Sequence, residues 1–175
     1  DMAKMKSEFL YHYTKRHGLK LRDRLVAFLP RYAALAARFS GLMNLRDTVP
    51  GLAALSEKLL GFSARRTLPM WRHDVFHCET PAVGPVEGPE VVFLVDTFNR
   101  YFEPENARAA VNVLVAAGYR VHLPGGAENR ADGDRPLCCG RTFLAAGLID
   151  EAKAEASRAL AALTPFVERG VPVIG

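Results

Sequence analysis

The chain has 175 residues, of which 49% are hydrophobic and 24% are charged, a composition typical of a globular protein that can bury a core. No apolar run approaches the roughly 20 residues that a membrane-spanning helix needs, and no secretory signal is visible. Three cysteines, two of them adjacent, do not make a disulfide framework, so the sequence predicts a reducing, cytoplasmic setting.

The charge is distributed unevenly along the chain. Residues 1–72 carry 14 Lys and Arg against 5 Asp and Glu, whereas residues 73–175 carry 9 against 14. A basic half could bind nucleic acid, an anionic lipid surface or an acidic protein, or it could dock on the acidic part of its own molecule. The positive charges are scattered through helical patterns rather than clustered, which argues against nucleic acid.

Residues 1–62 show three helical patterns. The first has Asp1 as its predicted N-cap and ends near Gly18. The second extends from Leu21 to Met43, and Pro30 is expected to kink or split it. The third covers about residues 50–60. Their Met and aromatic stripes predict packing faces, with a membrane-surface role as the alternative.

Residues 63–89 are rich in Pro, Gly and charge and show little periodicity, which predicts an extended connector. We expect this connector to pack through Trp71 and Phe76. It also holds three residues of metal-binding type close together: His73, His77 and Cys78. Their spacing fits no standard zinc pattern, so a surface loop is the preferred interpretation.

Residues 90–175 alternate between strand and helix patterns. The apolar runs "VVFLVD", "YRVHLP" and "VPVIG" predict three strands, with the first starting at Val91. Pro104 opens a helix between the first two strands, and helices near Arg141 and from Asp150 precede the third. The apolar stripe of the last helix is predicted at Ala152, Ala156, Leu160 and Leu163. The order predicts right-handed crossovers and a parallel sheet. The predicted fold class is therefore α/β, with a small parallel sheet flanked by helices over residues 91–175 and an α-helical segment before it.

The first strand leads into "DTFNRYFEP", which has no glycine before the helix. A dinucleotide-binding turn needs glycines there so that backbone amides can approach the pyrophosphate. The sequence therefore disfavours NAD or FAD binding by this domain.

The vicinal pair Cys138 and Cys139 precedes a predicted helix start on the carboxyl side of the sheet. Amides at a helix N-terminus favour the thiolate, which binds metal or reacts. Gly140 would allow the backbone to approach a bulky inorganic group. A disulfide between neighbours is strained, so the alternative is two buried structural thiols.

The motif and its surroundings, "VVFLVDTFNRYFEP" and then "PLCCGRTFLAAGLIDEAKAEA", resemble the cysteine-rich CCG domain. This domain occurs in iron–sulfur subunits of glycolate oxidase, anaerobic glycerol-3-phosphate dehydrogenase and heterodisulfide reductase. It also ends bacterial FAD-linked oxidases fused to a ferredoxin module, which the chain resembles most. The resemblance covers residues 91–175, and "DMAKMKSEFLYHY" looks like the helix that follows the ferredoxin module.

In such domains an iron–sulfur cluster is held by an early cysteine after the first strand, by the Cys-Cys pair and by later cysteines. The resemblance implies that Cys138 and Cys139 bind the cluster beside Gly140, with Asp96 at the position of the early cysteine. A carboxylate binds such iron weakly compared with a thiolate. The remaining ligands would lie outside this sequence, so we expect a fragment without a complete cluster.

The resemblance implies the electron-transfer segment of a multi-domain oxidoreductase that uses FAD and iron–sulfur clusters to oxidise a 2-hydroxy acid such as lactate or glycolate. FAD would lie elsewhere in the parent protein, and neither FAD nor a cluster is expected in this fragment. The expected partners are the other parent domains and a quinone or electron carrier, without nucleic acid. Peripheral association with the inner membrane surface stays open.

Two alternatives belong to other functional classes. The first is a non-redox interaction domain whose cluster site has decayed, with Asp96 as the indication. The second is a thiol-based enzyme that uses Cys138 or Cys139 as nucleophile, which His122 at the end of the second strand could approach. In every case the pair should lie near Asp96 at the carboxyl edge of the sheet, and at least one thiol should be alkylated faster than Cys78.

Overall fold

A computed structural model describes residues 2–77, 80–125 and 135–175. Within these residues the chain is mixed α/β, with nine helices and a four-stranded, mostly parallel sheet, which confirms the predicted fold class. The chain divides into two compact units, Asp1–His73 with Gly140–Lys153 and Asp74–Cys139 with Ala154–Gly175. The predicted division at residues 62 and 89 stays a prediction.

The helices and strands of the described residues follow one another along the chain. The helices are α1 Met2–His17, α2 Leu21–Ala27, α3 Leu29–Arg38, α4 Ser40–Thr48, α5 Leu52–Leu60, α6 Thr97–Tyr101, α7 Pro104–Ala116, α8 Arg141–Ala145 and α9 Ile149–Val167. The strands are β1 Ala82–Val83, β2 Glu90–Phe93, β3 Arg120–His122 and β4 Val173–Ile174. None of these helices is both long and apolar enough to cross a membrane.

The second helical pattern divides twice. The predicted break at Pro30 is confirmed, because α2 ends at Ala27 and α3 begins at Leu29 with the proline in its first turn, where a missing amide costs no hydrogen bond. A second break at Phe39 was not predicted. The amide of Phe39 is shared between two carbonyls of the preceding turn, at 3.1 and 3.3 Å.

The core of the first unit is small and forms where α8 meets α2. Phe143 is fully buried and meets the ring of Phe28 edge-on, with ring centroids 5.2 Å apart. The hydroxyl of Thr142 donates to the carbonyl of Ala27 at 2.9 Å. Since a buried aromatic ring contributes a large apolar area, this contact holds α8 in place.

The connector residues Trp71 and Phe76 are both buried, as predicted. Trp71 lies in the first unit, where the Asn44 amide donates to its carbonyl and accepts from its N–H, both at 2.9 Å. Phe76 lies in the second unit, in the core beside the sheet. The connector is therefore held by two separate anchors.

The sheet belongs to the second unit and has the strand order β1-β3-β2-β4. β2 is parallel to both β3 and β4, as the strand–helix alternation predicted. β1 is antiparallel to β3 and was not predicted, because two residues are too few to show periodicity. The core cluster beside the sheet contains Phe76, Val91, Val95, Ala107, Val121 and Leu123.

Candidate functional site

Asp96 and Leu137, the residue directly before the cysteine pair, lie beyond the ends of two neighbouring strands of the sheet. Asp96 follows β2, and Gly125 follows β3, its parallel neighbour. A Cβ on Gly125 would lie 2.9 Å from Cγ of Leu137, so the residue directly before Cys138 packs just beyond the end of β3. Because the carboxyl ends of parallel neighbours share one edge, this is the edge where ligands gather in open α/β sheets.

The two thiols differ in exposure. Cys138 is 7% exposed, Cys139 is exposed, and neither forms a disulfide. Cys138 follows the buried Leu137 and belongs to the core of its unit, whereas the neighbouring side chain faces solvent. Only one of the two sulfurs is therefore open to a reagent or a ligand without movement of the backbone.

We expect iodoacetamide near neutral pH to label Cys139 first and Cys138 slowly, because alkylation needs an accessible thiolate. Mass mapping of the labelled chain gives the order. Cys78 lies outside the described residues. The same experiment measures whether it is labelled more slowly than at least one thiol of the pair, as predicted. Equal rates for Cys138 and Cys139 in the folded chain would contradict the burial difference, and denaturant should make the rates converge.

Gly140 occupies the N-cap of α8 with a φ of +76°, a conformation that favours glycine. A Cβ at this position would lie 2.8 Å from the carbonyl oxygen of Ala152 and 3.2 Å from its Cα. The sequence predicted that Gly140 leaves room for an inorganic group. In the structure the group that approaches Gly140 is the backbone of α9.

Asp96 caps a helix that the sequence did not predict. The predicted strand up to Asp96 is too long, because β2 ends at Phe93 and Asp96 is the N-cap of α6. One carboxylate oxygen of Asp96 accepts from the Asn99 backbone N–H at 2.8 Å, and the other accepts from the Asn99 side-chain amide at 2.9 Å. This cap explains the aspartate without a metal.

A buried ion cluster that the sequence did not predict anchors the cysteine-bearing segment. Glu155 of α9 is 1% exposed, and its two carboxylate oxygens accept from Arg135 at 2.6 Å and from Arg158 at 2.8 Å. Arg158 also donates to the carbonyl of Arg135 at 2.9 Å. Arg135 stands three residues before Cys138, so this cluster fixes the start of the segment that carries the pair.

The buried face of α9 differs from the predicted one. The predicted stripe was Ala152, Ala156, Leu160 and Leu163, yet Leu160 is 63% exposed. The buried positions are Ala152, Glu155 and Ala159. The apolar pattern missed this face because its central residue is a carboxylate, and the only sequence signal was Arg158 three residues later.

His122, the predicted base of a thiol enzyme, lies beside the carboxylate of Glu90. Its Nε2 lies 3.4 Å from a carboxylate oxygen of Glu90, and its ring packs against Phe166 with centroids 4.9 Å apart. The other carboxylate oxygen of Glu90 pairs with Arg169 at 3.1 Å. These contacts give no support to a cysteine–histidine pair.

The first unit also contains a cleft of about 380 Å³ lined in part by α1, α2 and the start of α9. Three of its polar side chains interact with one another: Tyr11 accepts a hydrogen bond from Lys15, and the Lys15 ammonium lies 3.8 Å from Asp150. The hydrogen bond with Tyr11, followed by the charges of Tyr11 and Asp150, raises the pKa of Lys15 above its ordinary value. These contacts indicate no ligand class for the cleft.

The described residues do not fit a complete iron–sulfur cluster. Such clusters are usually held by four thiolates, and the described residues provide two thiols, one of them buried. Within residues 2–77, 80–125 and 135–175, no group of three or more His, Cys, Asp or Glu side chains is arranged to hold a metal ion.

Comparison with models of known protein families, with curated proteins and with solved structures gives no match to this chain. What the chain does is therefore inferred from its residues and from their placement.

Proposed function

We propose that this chain is the electron-transfer segment of a multi-domain, FAD-linked iron–sulfur oxidoreductase that acts on a 2-hydroxy acid such as lactate or glycolate. The observation that carries the proposal is a Pro-Leu-Cys-Cys-Gly motif whose leucine, Leu137, packs just beyond the end of β3 in a mostly parallel sheet. The substrate class rests only on the resemblance to CCG-containing oxidases, since no residue of this chain selects it.

The chain's own contribution is to place two thiols at the sheet edge. The buried Glu155 carboxylate holds Arg135 and so fixes the segment that ends in the pair. The Cys139 sulfur is exposed, whereas Cys138 would have to leave the core before both could meet one ligand. In the parent protein other segments would supply the remaining ligands and the FAD, and a quinone or electron carrier would be the acceptor.

The test uses the parent protein with this segment intact. After anaerobic reconstitution, iron analysis and electron paramagnetic resonance should detect a cluster that is lost in Cys138→Ser and in Cys139→Ser. Cys78→Ser is the matched control, because the resemblance gives that thiol no ligand role. A parent whose iron content is the same in all three variants would overturn the assignment of the pair.

We also expect the isolated 175-residue chain to bind no cluster under the same reconstitution, because two matched cysteines are fewer than the four ligands usually needed. Iron analysis and the visible absorption spectrum check this. Stoichiometric iron with a charge-transfer band would contradict it and would point to ligands that the resemblance does not include.

One observation favours a second function, a non-redox interaction domain with a decayed cluster site. Both oxygens of Asp96 accept hydrogen bonds from Asn99 at the start of α6, which gives the carboxylate a capping role that needs no iron. A parent protein that reconstitutes without iron at this site, yet still binds its other domains, would support this function over the first.

A further inference from the structure

Helix α1 packs through its more polar face and leaves its apolar face in solvent. Its half-buried residues recur at helical spacing, as Ser7, Leu10, Tyr11 and Thr14. The opposite face carries a row of exposed large side chains, Met2 at 79%, Met5 at 64%, Phe9 at 64% and Tyr13 at 48%. Steps of three and four residues place these four in one row, which is the reverse of an ordinary surface helix.

The packing contact explains why α1 is oriented in this way. Gly147 lies against the helix, and a Cβ on it would be 2.6 Å from the carbonyl carbon of Leu10. The hydroxyl of Thr14 reaches the carbonyl of Gly147 at 3.5 Å. The row is therefore held outward by backbone packing on the other side of the helix.

The apolar row stands in a basic surrounding. Lys6 and Arg16 are exposed, and a rotation of 100° per residue puts both next to the row. Residues 1–72 as a whole carry 14 Lys and Arg against 5 Asp and Glu, spread along the helices. Leu35 and Leu42 are further exposed apolar residues of this unit, with Arg38 exposed between them.

We propose that the apolar row of α1, formed by Met2, Met5, Phe9 and Tyr13, binds the surface of an anionic lipid bilayer. Large apolar side chains enter the boundary between headgroups and acyl chains, while Lys and Arg reach the phosphates above them. Lys6 and Arg16 beside the row, together with the excess of 14 Lys and Arg over 5 Asp and Glu in residues 1–72, complement the negative charge of anionic headgroups. This inference stands apart from the proposed function, because it needs no iron and no parent domain.

The test is sedimentation of the 175-residue chain with vesicles. An equal mixture of phosphatidylcholine and phosphatidylglycerol should bind the chain, and phosphatidylcholine alone should bind it much more weakly. Phe9→Glu should weaken binding about tenfold or more, because it replaces an exposed ring that would enter the bilayer by a charge that the anionic surface repels. Leu160→Glu is the matched control, because it adds the same charge at a residue that is 63% exposed, against 64% for Phe9. It should reduce binding to the anionic vesicles far less than Phe9→Glu does.

Two further variants test the charge. Lys6→Gln and Arg16→Gln should each reduce binding to the anionic vesicles about fivefold and leave binding to phosphatidylcholine unchanged. Equal losses in Phe9→Glu and Leu160→Glu would overturn the assignment of the row. Equal binding to both vesicle types would also overturn the proposal. So would light scattering that shows a dimer of the chain which Phe9→Glu dissociates, because the row would then be an interface between two copies of this chain. Circular dichroism confirms that the variants keep their helix content.

Discussion

Glu155→Ala is expected to cost about 3–5 kcal/mol of unfolding free energy, because it removes a buried carboxylate that accepts hydrogen bonds from two partly buried arginines. Arg135 and Arg158 are 25% and 18% exposed in their side chains, so water can solvate them only in part. The measurement is denaturant unfolding followed by circular dichroism. Glu168→Ala is the control, since Glu168 is exposed, and its effect should stay within about 0.5 kcal/mol.

The same variant should release the cysteine-bearing segment. Glu155→Ala removes the side-chain contact of Arg135 and one of the contacts that position Arg158, which donates to the Arg135 carbonyl three residues before Cys138. We therefore expect Cys138 to be alkylated faster in Glu155→Ala than in the unsubstituted 175-residue chain, with little change at the exposed Cys139. A stability loss without faster labelling would show that the core contacts of Leu137 and Cys138 hold the segment by themselves.

Replacing all three residues together distinguishes the contribution of the whole ion cluster to the unfolding free energy from the cost of removing one of its members. Changing Glu155, Arg135 and Arg158 together to methionine removes all three charges and keeps apolar volume in the site. Buried ion triads can often be replaced in this way with little loss or with a gain in stability. We expect the triple variant to be more stable than Glu155→Ala, and a further loss would mean that these hydrogen bonds are needed for the segment to pack.

Elements with a strong local signal were predicted correctly. Buried apolar runs gave β2 and β3, Pro30 marked the predicted break and Pro104 marked a helix start, because proline fixes φ and lacks an amide. β1, α6 and the break at Phe39 lacked such signals. Of these, α6 could have been found, since Asp96 three residues before Asn99 is a capping arrangement.

The candidate site was predictable in place but not in detail. The rule that ligand sites gather beyond the carboxyl ends of parallel strands predicted the Cys138 segment at that edge, and the structure places Leu137 of this segment against Gly125, just beyond β3. Which of the two thiols is buried could not be predicted, because the segment has no regular periodicity to assign its faces. Glu155 was missed for a different reason: a carboxylate is expected on the surface, and Arg135, one of its two arginine partners, lies 20 residues away.

Gly140→Val is expected to destabilise the first unit more than any conservative change at the cysteines. A φ of +76° is strained for a β-branched residue by about 1–3 kcal/mol, and overpacking against the Ala152 backbone, 2.8 Å from the added Cβ, should add about as much. Gly18→Val separates the two causes, because Gly18 has a φ of +74° and no atom within 4 Å of an added Cβ. It should show the conformational cost alone, and Cys138→Ser should cost about 1 kcal/mol for burying a hydroxyl. Thermal and denaturant unfolding of the three variants ranks them by their loss of stability. If Gly140→Val loses no more than Gly18→Val, α9 can yield at Ala152, and the glycine is needed for its backbone conformation rather than for close packing.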